Sequence, residues 1–491
     1  MRTATLAAAL ALLAPASAGA AEVIVVDGDR AERRQDPLVP SKASVTLPRP
    51  PGAAASVAVA SSKRGQRAVA RALRSALRRR AISRKSYSGY RRAYSRSLSV
   101  QRRLRGARRS QLGYVVASLE GIALRGRLAS SRLPALFSQL ERNTRYWPRL
   151  PFPRSGDQIS FRGSELLYQY YPGRGLQLQP LSTFKKANIM HGACVKGGGP
   201  CRRAGIKRLL DEMTGLSVRR GRGFIAWEYM FDFGGGSPPW MSGMAQATGV
   251  QALGRASQLL GQRSYVTTAQ RALGAFDARP PTGVRVTGPG GGTHYLQYSF
   301  APRLFIFNAF LQSLIGLYDF DQITSDSRAA GLYRRAEPEA RRELPASDVG
   351  DWSRYSYGGA ESTREYHGLL QEFLQSMCNR RLAAAYCTYA RRYRGYEVDP
   401  PVLTYSGPDT ATDGSLTRIR FSVSKLSAVE MVVLKGDRVA FRKLATFRRG
   451  LGSFAWKPGS AGSYRVRLGA KELRTGAGKK DSATGEIEVA G

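Results

Sequence analysis

Residues 238–256 read PPWMSGMAQATGVQALGRA, and residues 295–320 read YLQYSFAPRLFIFNAFLQSLIGLYDF. Apolar side chains recur every three or four positions through 242–260 and again through 303–319. That spacing lines them along one face of an α-helix. The same periodicity returns at 203–214, 264–276, 326–335, 364–378 and 382–392, with short loops rich in glycine or proline between the segments. A succession of paired helices over residues 148–397 predicts an (α/α) toroid-like helical domain, with ligand contacts on its loops and inner helices.

The pattern breaks at VDPPVL, residues 398–403. Beyond it the apolar/polar alternation of strands appears in RIRFSV (418–423), AVEMVVL (428–434), RVAFRKL (438–444), SFAWKP (453–458) and SYRVRLGA (463–470). Short strands about ten residues apart, with turns at Gly436-Asp437 and 459–462, predict an all-β, immunoglobulin-like sandwich over 402–491. The expected fold class is therefore multidomain: mainly α, with a C-terminal β module.

Upstream, Met1-Arg2 and the apolar run Ala4–Ala14 precede two Ala-x-Ala exits, ending at Ala18 and Ala20. A basic start, a short apolar run and a small-residue cleavage site describe a signal peptide over 1–20, so export to a periplasm or beyond is expected. Residues 21–60 read as a linker, with LPRPPGAAA at 47–55. Residues 61–147 form an Arg-rich helical region. No Asp or Glu occurs between Asp36 and Glu120, and Val69, Leu73 and Leu77 make a single apolar stripe among arginines. Residues 63–109 read either as a solvated helix pair packed on the main domain or as a contact for an anionic polymer or cell surface.

Lys and Arg number 77 against 35 Asp and Glu, a formal net charge of +42. Charge of that size speaks to partners and not to fold, and it favours polyanions. Export argues against nucleic acid and leaves acidic polysaccharides or cell-wall polymers. The four cysteines fit an oxidising compartment, and their spacing predicts two local disulfides, Cys194–Cys201 and Cys378–Cys387. Neither pair has the spacing of a zinc knuckle. VKGGGPCRRAG (195–205) and GPGGGT (288–293) lack the Lys-Ser/Thr that completes a phosphate loop.

Three blocks carry a resemblance. The Trp-Met-Ser-Gly-Met-Ala-Gln of 240–246, the Ser-Leu-Ile-Gly-Leu-Tyr-Asp of 313–319, and LPASDVGDWSRYSYGG (344–359) followed by TREYHGLLQEFL (363–374) keep one order and spacing. Over about 165–390 the chain resembles the catalytic C-terminal domain of D-glucuronyl C5-epimerases. The resemblance implies an isomerase that inverts uronic acids within a glycosaminoglycan-like polysaccharide. It places the family's tyrosines on Tyr298, Tyr355 and Tyr366, the substrate-contacting asparagine on Asn308, and the histidine after the last tyrosine on His367. Gln297 stands where the family has a carboxylate. Gly358 stands where it has an arginine three residues after the second tyrosine, which leaves Arg354, Arg364 and Arg303 as candidates to clamp the substrate carboxylate.

The chemistry asks for such residues. A carbon beside a carboxylate is a very weak acid, so epimerisation needs a cationic or hydrogen-bonding clamp on that carboxylate and proton-transfer groups on the two faces of the ring. Tyrosine suits both faces if nearby cations lower its pKa from about 10. Nothing in this logic requires a metal or cofactor. A lyase using the same C5 carbanion is the near alternative. A non-catalytic surface protein that binds anionic glycans is the distant one.

Overall fold

A computed structural model describes residues 21–41, 61–197, 199–221 and 223–491. The signal-peptide segment and residues 42–60 of the expected linker lie outside them. The described part of that linker is not a linker at its start. Ala21–Asp27 and Arg30–Asp36 form an antiparallel hairpin, and the first of these strands pairs in parallel with Gln158–Phe161. Its AEVIVVD run buries Val23, Ile24 and Val26, and a β-branched run of this kind fits a pleated, half-buried surface. The sheet continues through Tyr168–Tyr171 and Gly175–Leu178.

Four helices follow from residue 63 on: Lys63–Arg78, Arg84–Arg103, Gly106–Leu124 and Leu133–Tyr146. The first buries Gly65, Val69, Leu73 and Ala76, so the apolar stripe of the sequence faces inward, with Leu77 at its edge. Glu120 of the third helix is also buried. It accepts from Ser61 Oγ at 2.6 Å, the Ser62 amide at 2.8 Å and the Tyr94 hydroxyl at 2.6 Å. A carboxylate with three donors satisfies its burial and pins the start of the first helix. Gly65 has no room for a side chain, because the Glu120 carboxylate occupies the place where a Cβ would stand.

The helices of the middle region are Pro180–Lys196, Arg203–Gly215, Gly243–Leu260, Ser264–Ala272, Gly274–Asp277, Phe307–Thr324, Ser327–Glu343, Arg364–Asn379 and Ala384–Val398. From 203 onward they follow the expected periodic segments, except that 264–276 divides at Leu273 into two helices and that three further differences occur. The helix expected from 303 starts at Phe307, after Pro302. The one expected to end at 335 runs to Glu343 through Pro338. Two small ladders, Val218–Arg220 with Phe224–Ala226 and Glu228–Tyr229 with Trp240–Met241, interrupt the helices where no strand was expected. No helix among the described residues is long and apolar enough to cross a membrane.

The chain divides into two compact units. The first comprises the described residues up to 286, with 295–304 and 312–335; within it the helices Pro180–Lys196 and Gly243–Leu260 pack together, Gly249 touching the Phe184 ring. The second comprises 287–294, 305–311 and 336–491. Its helices Arg364–Asn379 and Ala384–Val398 are joined by the Cys378–Cys387 disulfide; the Cys194–Cys201 bridge forms in the first unit.

The β module belongs to the second unit. One sheet orders its strands Leu403–Tyr405, Thr417–Val423, Gly450–Trp456. The other orders them Thr410–Thr412, Lys480–Ala490, Gly462–Glu472, Ser427–Lys435, Arg438–Phe447. Alternate residues of both, among them Ile419, Phe421, Val429, Met431, Phe454, Trp456, Val466 and Leu468, fill one shared core. The alternation read from sequence is the side-chain period of a strand with one buried face.

Candidate active site

In the second unit, three pieces of chain come together. The segment Asp348–Glu361 folds back on itself: the Arg354 amide donates to the Ser347 carbonyl at 2.7 Å, and the Tyr355 amide to the Ala360 carbonyl at 3.0 Å. A bridge between Ile306 and Ser356, with the Tyr357 amide on the Phe305 carbonyl at 2.9 Å, fastens this loop to the residues that open the helix at Phe307. Tyr366 sits in the first turn of the helix Arg364–Asn379. The result places the Tyr355 and Tyr366 rings 5.1 Å apart, tilted by 54°. Asn308 Nδ2 donates to the Tyr366 carbonyl at 3.2 Å, and its buried Oδ1 has no hydrogen-bond partner among the described residues. An orphaned buried amide oxygen is an acceptor waiting for a hydroxyl.

Burial, reinforced by the neighbouring Glu365 carboxylate, pushes the Tyr366 hydroxyl above its ordinary pKa. Tyr366 is therefore a neutral O–H at physiological pH, able to donate a proton and not poised to remove one. This differs from the expectation that arginines would pull the tyrosines down. The reason is where the arginines go. Arg354, half-buried, spends Nη1 on the Gly359 carbonyl at 2.9 Å, and Arg364 is exposed. Gly358, where the family has an arginine, is exposed at φ +64 with nothing within 4 Å of a Cβ, so the backbone there favours glycine.

His367, expected to line the site, instead occupies the interior. Its ring is fully buried and stacks on Trp352 at 3.7 Å. Nε2 lies 3.0 Å from the Tyr393 carbonyl, which can only accept, so Nε2 carries the proton and Nδ1 takes the Ser353 hydroxyl at 2.9 Å. Burial first of all holds its pKa down at about 4. It is a neutral, satisfied core histidine. Sequence reasoning passed over its partner Trp352, and also Arg474, whose guanidinium lies over the Trp352 ring at 5.5 Å. Trp352, one of five tryptophans, could have been singled out by its rarity; Arg474, 122 positions away, offers no local signal.

The first unit holds Tyr298 and Gln297. Tyr298 is buried in an aromatic cage, with ring centroids 5.7 Å from Trp240, 5.9 Å from Phe233 and 5.2 Å from Phe300. Trp240 in turn stacks on Tyr229 at 4.2 Å. Met241 and Ser299 exchange two hydrogen bonds, the Ser299 amide to the Met241 carbonyl and the Met241 amide to Ser299 Oγ, which fix the backbone beside Tyr298. Gln297 is buried with Oε1 unpartnered among the described residues. An unpaired amide oxygen costs far less there than an unpaired carboxylate would. Arg303 is exposed.

Residues 221–395 match the family model of the D-glucuronyl C5-epimerase C-terminus. The D-glucuronyl C5-epimerase of Caenorhabditis elegans is 31% identical over 130 residues, covering 24% of this chain and 21% of that protein. An uncharacterized protein of Methanocaldococcus jannaschii is 25% identical over 177 residues, 35% of this chain and 58% of that one. The chain thus spans less than two thirds of the length of either relative. The endo-β-1,4-glucanase CMCax of Acetobacter xylinum aligns over 43% of this chain and 67% of its own at 13% identity, with a TM-score of 0.32, too distant to carry an argument.

Proposed function

We propose that this chain, whose residues 221–395 match the D-glucuronyl C5-epimerase C-terminus, is a uronic-acid C5-epimerase acting on an acidic polysaccharide. The observation that carries the reading is the pairing of Tyr355 with Tyr366 beside the unsatisfied Asn308 amide. In this mechanism Tyr366, kept protonated by burial, delivers a proton to the C5 carbanion. Asn308 Oδ1 accepts from a sugar hydroxyl and fixes the ring. Tyr355, its ring beside that of Tyr366, is the candidate for the group that removes the first proton, and Arg354 is the nearest cation in sequence to serve the carboxylate. The chain would work after export, with cleavage near Ala18 or Ala20; its leader-like N-terminus and two disulfides support this. The succession of helices over 148–397 and the shared core of the C-terminal sheets support an (α/α) toroid and an immunoglobulin-like sandwich respectively.

Incubation with a glucuronate polymer in D2O tests the reading. Deuterium should enter C5 without new ultraviolet absorbance, and Tyr366→Phe should slow exchange about 100-fold or more, the scale of a lost general acid. Absorbance from an unsaturated uronide would identify a lyase. Gln297, in place of the family's carboxylate, favours a second reading, a glycan-binding protein without turnover; binding with no exchange would select it.

A further inference from the structure

In the first unit, away from Tyr298 and Gln297, an open cleft of about 360 Å³ is walled by four arginines: Arg127, Arg132, Arg219 and Arg220. One carboxylate faces them. Glu228, its side chain fully buried, takes Arg132 in a two-pronged grip, Nε at 2.6 Å and Nη2 at 2.9 Å. Arg220 lies 91% buried on the same carboxylate: its Nη1 is 3.2 Å from Glu228 Oε1 at an angle that makes no hydrogen bond, while Nη2 donates to the Pro281 carbonyl at 2.7 Å. Arg127 and Arg219 are exposed and form no ion pair among the described residues. Four guanidiniums against one carboxylate is a poor balance for a partly buried group, because like charges held out of water repel strongly. Burial, and then the proximity of Arg132 and Arg127, work against the charge on Arg220 that Glu228 supports.

We infer that this cleft is a subsite for an anionic group, and that the group is a carboxylate on a sugar of the acidic polysaccharide other than the one under reaction. The second half rests on the epimerase reading. Guanidinium forks match planar oxyanions two bonds at a time, and a second anion supplies the balance that Glu228 alone leaves incomplete. The cleft is also wired to the candidate catalytic residue of its own unit. Glu228 pairs with Met241 and Tyr229 with Trp240 in a two-residue ladder. Trp240 follows Pro239, a wall of the cleft, and packs its edge on Tyr298. A sugar seated on the arginines would therefore bear on the strand that shapes the Tyr298 cage.

The test is calorimetric titration of the full chain with a glucuronate-containing octasaccharide and, separately, with sodium sulfate. Arg127→Ala/Arg219→Ala removes only exposed side chains, so the fold should survive; Arg220→Met is the second variant, with thermal unfolding as its control. Each lost guanidinium contact should weaken octasaccharide binding about tenfold, the scale of a hydrogen bond between charged groups. Equal binding by the double variant and the parent overturns the subsite and leaves the epimerase reading untouched. If the parent binds no octasaccharide, the polysaccharide source falls. Sulfate binding that the double variant loses would then keep the cleft as a site for free oxyanions, and no sulfate binding would overturn it altogether.

Discussion

Arg474 Nη1 donates to Glu361 Oε2 at 2.7 Å, and this contact ties the C-terminal β module to the loop that carries Tyr355. The same guanidinium reaches Asp351 at 3.2 Å and covers Trp352, which stacks on His367. The β module is thus a brace for the candidate site in its own unit. The Arg474 side chain is only 9% exposed, and Asp351 4%.

Arg474→Met should therefore destabilise the second unit by about 3 kcal/mol, because it strands the buried Asp351 carboxylate without its cation. It should also slow C5 exchange by loosening the Tyr355 loop. Thermal unfolding and exchange rates measured on one preparation check this. An unchanged melting temperature would remove the brace.

Gly358 allows a cleaner experiment on the family difference. Its φ of +64 costs a side-chain-bearing residue about 1 kcal/mol, and nothing within 4 Å blocks a Cβ. Gly358→Ala and Gly358→Arg should lose about that much stability by urea unfolding, with no further steric loss. A loss of 3 kcal/mol or more would mean that the glycine does something beyond its backbone angle.

His367 sets a pH dependence. In the folded chain its pKa lies at about 4, against about 6.5 unfolded. Between those values the unfolded chain binds a proton that the folded chain refuses, so stability falls as pH drops from 6.5 towards 4. His367→Gln should flatten that part of the stability profile even though it lowers stability at pH 7. A parental slope surviving in the variant would assign the titration elsewhere.

What the sequence revealed follows the range of the interactions. Helical period and strand alternation are local, so the helices, the strands of the C-terminal module and both disulfides were legible. The hairpin Ala21–Asp36 was missed because its strand finds its partner at Gln158–Phe161, more than 120 residues on, in a stretch that composition made look like a spacer. The pairing of Tyr355 with Tyr366 came within reach only through the family pattern. Their environment did not: whether a tyrosine is lowered by arginine or raised by burial depends on where Arg354 and Arg364 point, and sequence spacing holds no such information. His367 shows the same limit, since a histidine beside a tyrosine reads alike whether it faces a substrate or the Trp352 ring.

The helices Lys63–Arg78 and Arg84–Arg103 carry the last expectation. Of the 18 Lys and Arg in residues 63–109, all but Arg108 are exposed, and none forms an ion pair among the described residues. Arg64, Arg67, Arg71, Arg74 and Arg78 run along the first helix opposite Val69, Leu73 and Ala76. No large apolar side chain is strongly exposed in this stretch, which disfavours insertion into a bilayer and leaves electrostatics as the means of contact. Deleting the segment would be a poor test, because Val69, Leu73 and Ala76 belong to a packed core. Charge removal is better: Arg67, Arg71, Arg74 and Arg78, all replaced by Gln, should leave the melting temperature within a few degrees. The salt needed to elute the chain from a heparin column should drop, since each lost contact releases fewer counterions. Elution at unchanged salt would make this face a solvated surface and nothing more.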